Sequence, residues 1–151
     1  MLRLTKKLMF AIEAVVDIAY NAADLPVQSG DVAERQGIPR RYLEQVLQHL
    51  VRVGILKGQR GPRGGYRLAR ERRRITLGEI VRVVGEIEGT TDPLEAPAGS
   101  ELGKQVLRPI WVDLQEETLK RLDAITIDDV CSRARELGID SRAAAQFDFM
   151  I

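Results

Sequence analysis

Apolar residues recur every three or four positions through the first third of the chain: Leu8, Ile12, Val15 and Ala19, then Leu43, Val46, Leu47 and Leu50. That spacing is the period of a helix with one buried face. It predicts a helix from a Thr5 cap to about Ala23 and another from about Arg40 to Val53. Between them Ser29 is placed to cap a short helix ending at Gln36, with Gly37 as the stop and Ile38-Pro39 as the link. Two short helices joined by a tight turn containing Gly form the helix-turn-helix pattern. Arg41, Glu44, Gln45 and Gln48 fall three and four apart opposite the apolar stripe, on a polar face.

The helical period then stops. Short extended runs near Ile55–Lys57 and Tyr66–Leu68 flank a tip of Gly, Pro62, Arg60 and Arg63. Glycine and proline favour a reversal there, and the arginines point outward. Alone, this is equally a solvated hairpin or a cationic wing for DNA; the preceding helix pair favours the wing. Thr76 is placed to cap a fourth helix, Leu77–Val84, with Glu79 completing a capping box. Thr90 to Ser100 reads as a loop. A longer helix follows from about Glu101 to Ala124, striped by Leu107, Ile110, Trp111, Leu114, Thr118 and Leu122. Pro109 either kinks it or sits in its true first turn. Thr126 caps a last helix that ends before Gly138.

Composition adds three constraints. A chain of 151 residues fits one domain, or a small domain with an appendage. The net charge of +1 conceals an asymmetry: residues 1–85 carry 16 Lys/Arg against 8 Asp/Glu (+8), and residues 86–151 carry 7 against 14 (−7). The front half attracts polyanions and the back half does not. The single cysteine, Cys131, excludes an internal disulfide and a multi-thiolate metal site within one chain. No run of 18 apolar residues spans a membrane, and Glu13 and Asp17 interrupt the apolar stretch that would make the N-terminus a signal peptide. A cytoplasmic protein is expected. With one histidine, His49, and no phosphate-cradling glycine spacing, no catalytic constellation is present.

The candidate chemistry is that of duplex DNA. On the third helix Arg41 is suited to guanine, Glu44 to the cytosine amino group, and Gln45 and Gln48 to adenine. Lys6, Lys7, Arg40, Tyr42, Arg60 and Arg63 are candidates for phosphates and the minor groove. Lys6 and Lys7 sit at a helix start, where the dipole disfavours cations unless a phosphate approaches.

Several stretches resemble the Rrf2 family of bacterial transcription regulators. They are Asp31 to Pro39, Tyr42-Leu43-Glu44-Gln45, Arg60 to Tyr66, Leu77-Gly78-Glu79-Ile80, Ile110 to Leu114 and Ile125 to Val130. The resemblance covers about the first 130 residues. It implies a mostly α fold with a small β wing: a winged helix-turn-helix domain over 1–88, a loop over 89–100, dimerisation helices over 101–138 and a tail over 139–151. It further implies homodimers on imperfect palindromes, acting as repressors, with Arg41, Glu44 and Gln45 at base-reading positions and Arg60 in the wing. Leu107, Ile110, Trp111, Leu114 and Leu122 are then expected in the dimer contact. Many members hold an iron–sulfur cluster on three cysteines between the fourth helix and the dimer helix. Here Glu88 to Lys104 holds no Cys or His, so no cofactor is expected and the chain resembles the cluster-free members.

Two features remain. Cys131 is either a small core residue or a redox thiol, and the latter needs exposure and a lowered pKa. The tail residues Phe147, Asp148, Phe149 and Ile151 resemble the end of serine acetyltransferases, whose terminal Ile enters the active site of O-acetylserine sulfhydrylase. That resemblance implies a second reading, an adaptor that docks its tail into such an enzyme. A tail that packs its two Phe on the dimer, or lies disordered, is the other account.

Overall fold

The computed structural model describes residues 4–88, 97 and 99–142, with Glu86 and Glu88 as backbone only. Helix α1 spans Lys6–Asn21, and the Thr5 hydroxyl accepts the Leu8 amide at 3.0 Å, as its spacing predicts. Helices α2, Ser29–Gln36, and α3, Arg40–Arg52, form the helix-turn-helix. The start of α2 differs from expectation: Gln28 is the capping residue, without a side-chain bond, and Ser29 is the first helical residue. Gly37 sits at φ 63°, a left-handed turn that side chains resist, and this lets α3 leave at an angle to α2.

Strands β1, Leu56–Gln59, and β2, Gly65–Leu68, pair antiparallel with Leu56 opposite Leu68 and Gln59 opposite Gly65. The loop between α1 and α2 joins this wing. Val27 donates to the Tyr66 carbonyl at 2.9 Å and accepts the Tyr66 amide at 2.7 Å. Gly65 makes that pairing possible, because a Cβ there would lie 2.4 Å from the Val27 carbonyl oxygen.

After a 3-10 turn at Arg72–Arg74, helix α4 spans Leu77–Glu88. It runs one turn beyond the expected end because Ile87 continues its apolar face onto the core. The Thr76 hydroxyl accepts the Glu79 amide at 3.2 Å, but the Glu79 carboxylate turns to Arg70, so the expected capping box is half made. Most of the loop expected over 89–100 lies outside the described residues.

Helix α5 spans Arg108–Asp123 and is preceded by a π-turn at Gly103–Leu107, where the Arg108 amide reaches back to Gly103. Pro109 lies in the first turn of α5, directly behind this widening. In an unbroken α-helix its ring would meet the carbonyl four residues back, and a π-turn opens that space. Helix α6, Ile127–Glu136, carries the capping box that α4 lacks: Thr126 and Asp129 bond each other's amides at 3.1 and 2.9 Å.

One core unites these elements. Ala11, Ala14, Val15 and Ile18 of α1 are fully buried, as are Val32, Leu47, Ile80 and Ile127. Helix α6 was expected with the dimerisation region, yet Ile127 and Cys131 sit in this same core. Its entry is fixed by backbone bonds of 2.9 Å from Leu77 to Ile125 and from Ile127 to Ile75. Arg82 of α4 holds Asp123 at the end of α5 in a two-pronged pair, 2.6 and 2.8 Å. Gly78 leaves room for that carboxylate; a Cβ would lie 2.0 Å from its Oδ1.

Candidate nucleic-acid interface

Helix α3 divides cleanly. Leu43, Val46, Leu47 and Leu50 are buried, while Arg40, Arg41, Glu44, Gln45 and Gln48 are exposed together on the opposite face. Arg40 and Glu44 lie 3.9 Å apart across one turn, a weak solvated pair that leaves both free to exchange partners. Tyr42, at the edge of this face, donates its hydroxyl to the Lys7 backbone carbonyl at 2.9 Å. The Lys7 ammonium lies 5.7 Å from the Tyr42 ring, and Lys6 lies 5.8 Å from the Phe10 ring. The start of α1 is thereby held beside the start of α3. Neither helix has an acidic residue in its first turn, so two positive dipole ends and four cationic side chains share one surface.

The wing flanks the other end of α3. Arg60 and Arg63 are exposed at its tip. An open groove of about 760 Å³ runs between helix and wing, lined by Gln48, Arg52, Gln59, Arg60 and Tyr66 among others. Arg52 and Gln59 were not singled out from sequence; they join the site because the hairpin folds back along α3. Arg67 anchors the wing by donating to the carbonyl of Ala23 at 2.7 Å and to that of Asp24.

Beneath the helix-turn-helix, the fully buried side chain of Asp17 receives Arg35 through two bonds of 2.9 and 2.8 Å and Gln36 through one of 2.8 Å. The Asp17 carboxylate beside it raises the Arg35 guanidinium above its ordinary pKa. This lock fixes α2, and through Gly37 the position of α3. An acid on the buried face of α1 was the available sign that such a partner exists.

The remaining sequence-derived candidates fall elsewhere. Leu107, at the end of the π-turn, and Ile110, Trp111 and Leu114 of α5 form one apolar face, each about half exposed. Leu122 does not share it and packs with Leu119 against the chain's own core. Cys131 is fully buried, and burial pushes its thiol up in pKa against the pull of Arg72. The exposure and thiolate character of a redox sensor are both missing. Phe147, Asp148, Phe149 and Ile151 lie outside the described residues.

The model of the Rrf2 family, described as iron-dependent transcriptional regulators, matches residues 4–133. The HTH-type transcriptional regulator IscR of Klebsiella pneumoniae (strain 342) is 34% identical over 142 residues, covering 93% of this chain and 86% of that protein. The solved structure of T. potens IscR superposes with a TM-score of 0.73 at 32% identity, over 92% of this chain and 93% of that one. CymR, described as the global cysteine regulator of B. subtilis, superposes at 0.70 with 29% identity, over 88% and 98%. Iron in the family description calls for ligands. This chain has one thiol, buried in the core, and one histidine on α3. Among the described residues no three His, Cys, Asp or Glu side chains converge. These residues do not fit an iron–sulfur cluster.

Proposed function

The chain belongs to the Rrf2 family of transcriptional regulators, so it is a DNA-binding regulator and not an enzyme, and we propose that it works as a homodimeric repressor on a palindromic operator. The observation that carries this reading is the continuity of the cationic surface. The polar face of α3 is bordered by Lys6 and Lys7 on one side and by the Arg60 wing on the other. In the major groove Arg41 donates to guanine, Glu44 accepts from cytosine, and Gln45 and Gln48 pair with adenine. Lys6, Lys7, Arg40, Tyr42, Arg52, Arg60 and Arg63 grip phosphates and the groove edge, which supplies affinity without sequence information.

The apolar face of α5 supports the dimer. Four large side chains in a row at half exposure are more than scattered surface residues. A second copy seated there sets two α3 helices about 34 Å apart, or a multiple, and occupancy of a promoter then blocks transcription. The reading puts the protein in the cytoplasm with its DNA. Among the described residues no helix is long and apolar enough to cross a membrane.

Selection from random duplexes by the purified chain, followed by titration of the winner at several salt concentrations, tests this. A two-fold related sequence and a steep salt slope are expected. Equal, weak binding to every duplex overturns it. The adaptor reading is decided separately, by comparing O-acetylserine sulfhydrylase binding to the full chain and to one lacking Phe147–Ile151.

A further inference from the structure

Residues 139–142, the last described, lie against the body of the protein. The Ile139 carbonyl accepts the Tyr20 hydroxyl from the end of α1. Three residues on, the Arg142 amide donates to the Asn21 side chain at 2.9 Å, and Asn21 in turn donates to the Asp17 carbonyl at 2.9 Å. The Arg142 guanidinium donates to the carbonyls of Pro26 at 3.1 Å and Leu25 at 3.4 Å, and lies 3.7 Å from the Asp31 carboxylate in α2. One residue therefore touches α1, the following loop and α2.

Each contact leads to a DNA-binding element. Asn21 sits one turn after Asp17, whose carboxylate holds Arg35 and Gln36 beside the turn into α3. Pro26 precedes Val27, the residue that pairs with Tyr66 of the wing. Asp31 lies in the first turn of α2. A planar guanidinium suits this place because it bonds two carbonyls and a carboxylate at once, which an ammonium cannot do in the same geometry. The Arg142 Nε is buried with no hydrogen-bond partner among the described residues, so the side chain is drawn in despite an unmade bond.

We propose that residues 139–142 are a strap that sets the wing against the recognition helix, with Arg142 as a positioning residue for DNA recognition. Arg142 touches no DNA in this account. It holds Pro26, hence the Val27–Tyr66 pairing, hence the aim of β2 and the tip carrying Arg60. The proposal rests on the DNA-binding reading for the wing's role, but the strap itself is testable without DNA.

Full-length Arg142→Ala and wild type are compared in two measurements. In the free protein, amide exchange at Val27 and Tyr66 is expected to speed up about tenfold, with α5 amides unchanged. Unchanged exchange at Val27 and Tyr66 overturns the strap, and uniform acceleration reduces it to general stability and overturns it too. On the duplex selected by the wild type, a double-mutant cycle with Arg60→Ala is read. Arg60→Ala is expected to cost about fivefold or more in wild type and less than about twofold in the Arg142→Ala background, because an unaimed wing has little contact left to lose. Additive losses overturn the positioning role. No effect of Arg60→Ala in wild type refutes the wing assignment and the positioning role with it, while the exchange data still decide the strap. Arg142→Lys keeps the charge facing Asp31 without the paired carbonyl bonds and is expected to recover only part of the Arg60 coupling.

Discussion

The Tyr42 hydroxyl and the Lys7 carbonyl, 35 residues apart in sequence, meet at 2.9 Å and bolt the start of the recognition helix to the start of α1. Tyr42→Phe keeps the ring beneath Lys7 and removes this bond. The expected loss is about 0.5–1.5 kcal/mol in denaturant unfolding. On the proposed reading, in which Lys6, Lys7 and Arg40 contact phosphates, DNA affinity is expected to fall on all sequences alike. A changed base preference at constant affinity would contradict that.

The proposed reading assigns Glu44 to base recognition and Arg60 to grip, and the two substitutions separate these roles. Glu44→Ala is expected to relax preference at one base pair, by about 1–3 kcal/mol of discrimination. Arg60→Ala and Arg52→Ala are expected to weaken every sequence and to lower the salt slope by about 1 each. Binding isotherms over a salt series read both. Intact preference in Glu44→Ala removes that residue from the base-reading set.

The apolar face of α5 and its core end respond differently to charge. Ile110, about half exposed in one copy, tolerates Ile110→Asp in the protomer, so circular dichroism is expected to stay native while sedimentation shows a monomer. Leu122→Asp instead places a charge against the core and is expected to destabilise the protomer itself. A dimeric Ile110→Asp protein would place the contact elsewhere.

Asp17 lies under the helix-turn-helix with no exposed side-chain surface. Asp17→Ala strands Arg35 and Gln36, and the expected cost is near the lower end of about 3–5 kcal/mol, because Arg35 retains some access to water. Thermal unfolding checks this. A loss below about 1 kcal/mol would show that the pair contributes little.

Acid sensitivity follows from two carboxylates on the C-terminal side. The Arg82 guanidinium holds the Asp123 carboxyl below its ordinary range, and the Thr126 amide does the same for Asp129. Folded values below unfolded ones mean that the stabilisation is fully present above the usual Asp pKa of about 3.9 and is lost as pH falls through the folded values. The thermal midpoint is expected to drop in that acid window. Asp123→Asn and Asp129→Asn proteins start lower and lose less. Parallel curves for wild type and variants would refute the assignment.

Much of this molecule is legible from local spacing. The stripe Leu43, Val46, Leu47, Leu50 places α3 and turns Arg41, Glu44, Gln45 and Gln48 outward, because burial and exposure share one helical period. Caps are readable where a hydroxyl meets a free amide, as at Thr5 and Thr126, and blur by a residue where Gln28 and Ser29 compete. What spacing does not reveal is partnership at a distance. Asp17 and Arg35 are 18 residues apart, Asn21 and Arg142 are 121 apart, and Val27 joins the wing across a helix-turn-helix. Such contacts exist only once the core has set the backbone. Leu122 shows the same limit: it continues the α5 stripe in sequence but faces inward, because Arg82 draws the end of α5 onto α4.

The π-turn at Gly103–Leu107 holds one residue more than an ordinary helical turn would need. Each residue of an α-helix advances about 100° around its axis. The widened turn takes up its extra residue locally, so a relative one residue shorter here, with a plain α-turn, would keep Leu102 on the same bearing relative to Ile110 and Leu114. Here a difference of one residue in chain length is absorbed within one turn and leaves the aim of the face unchanged.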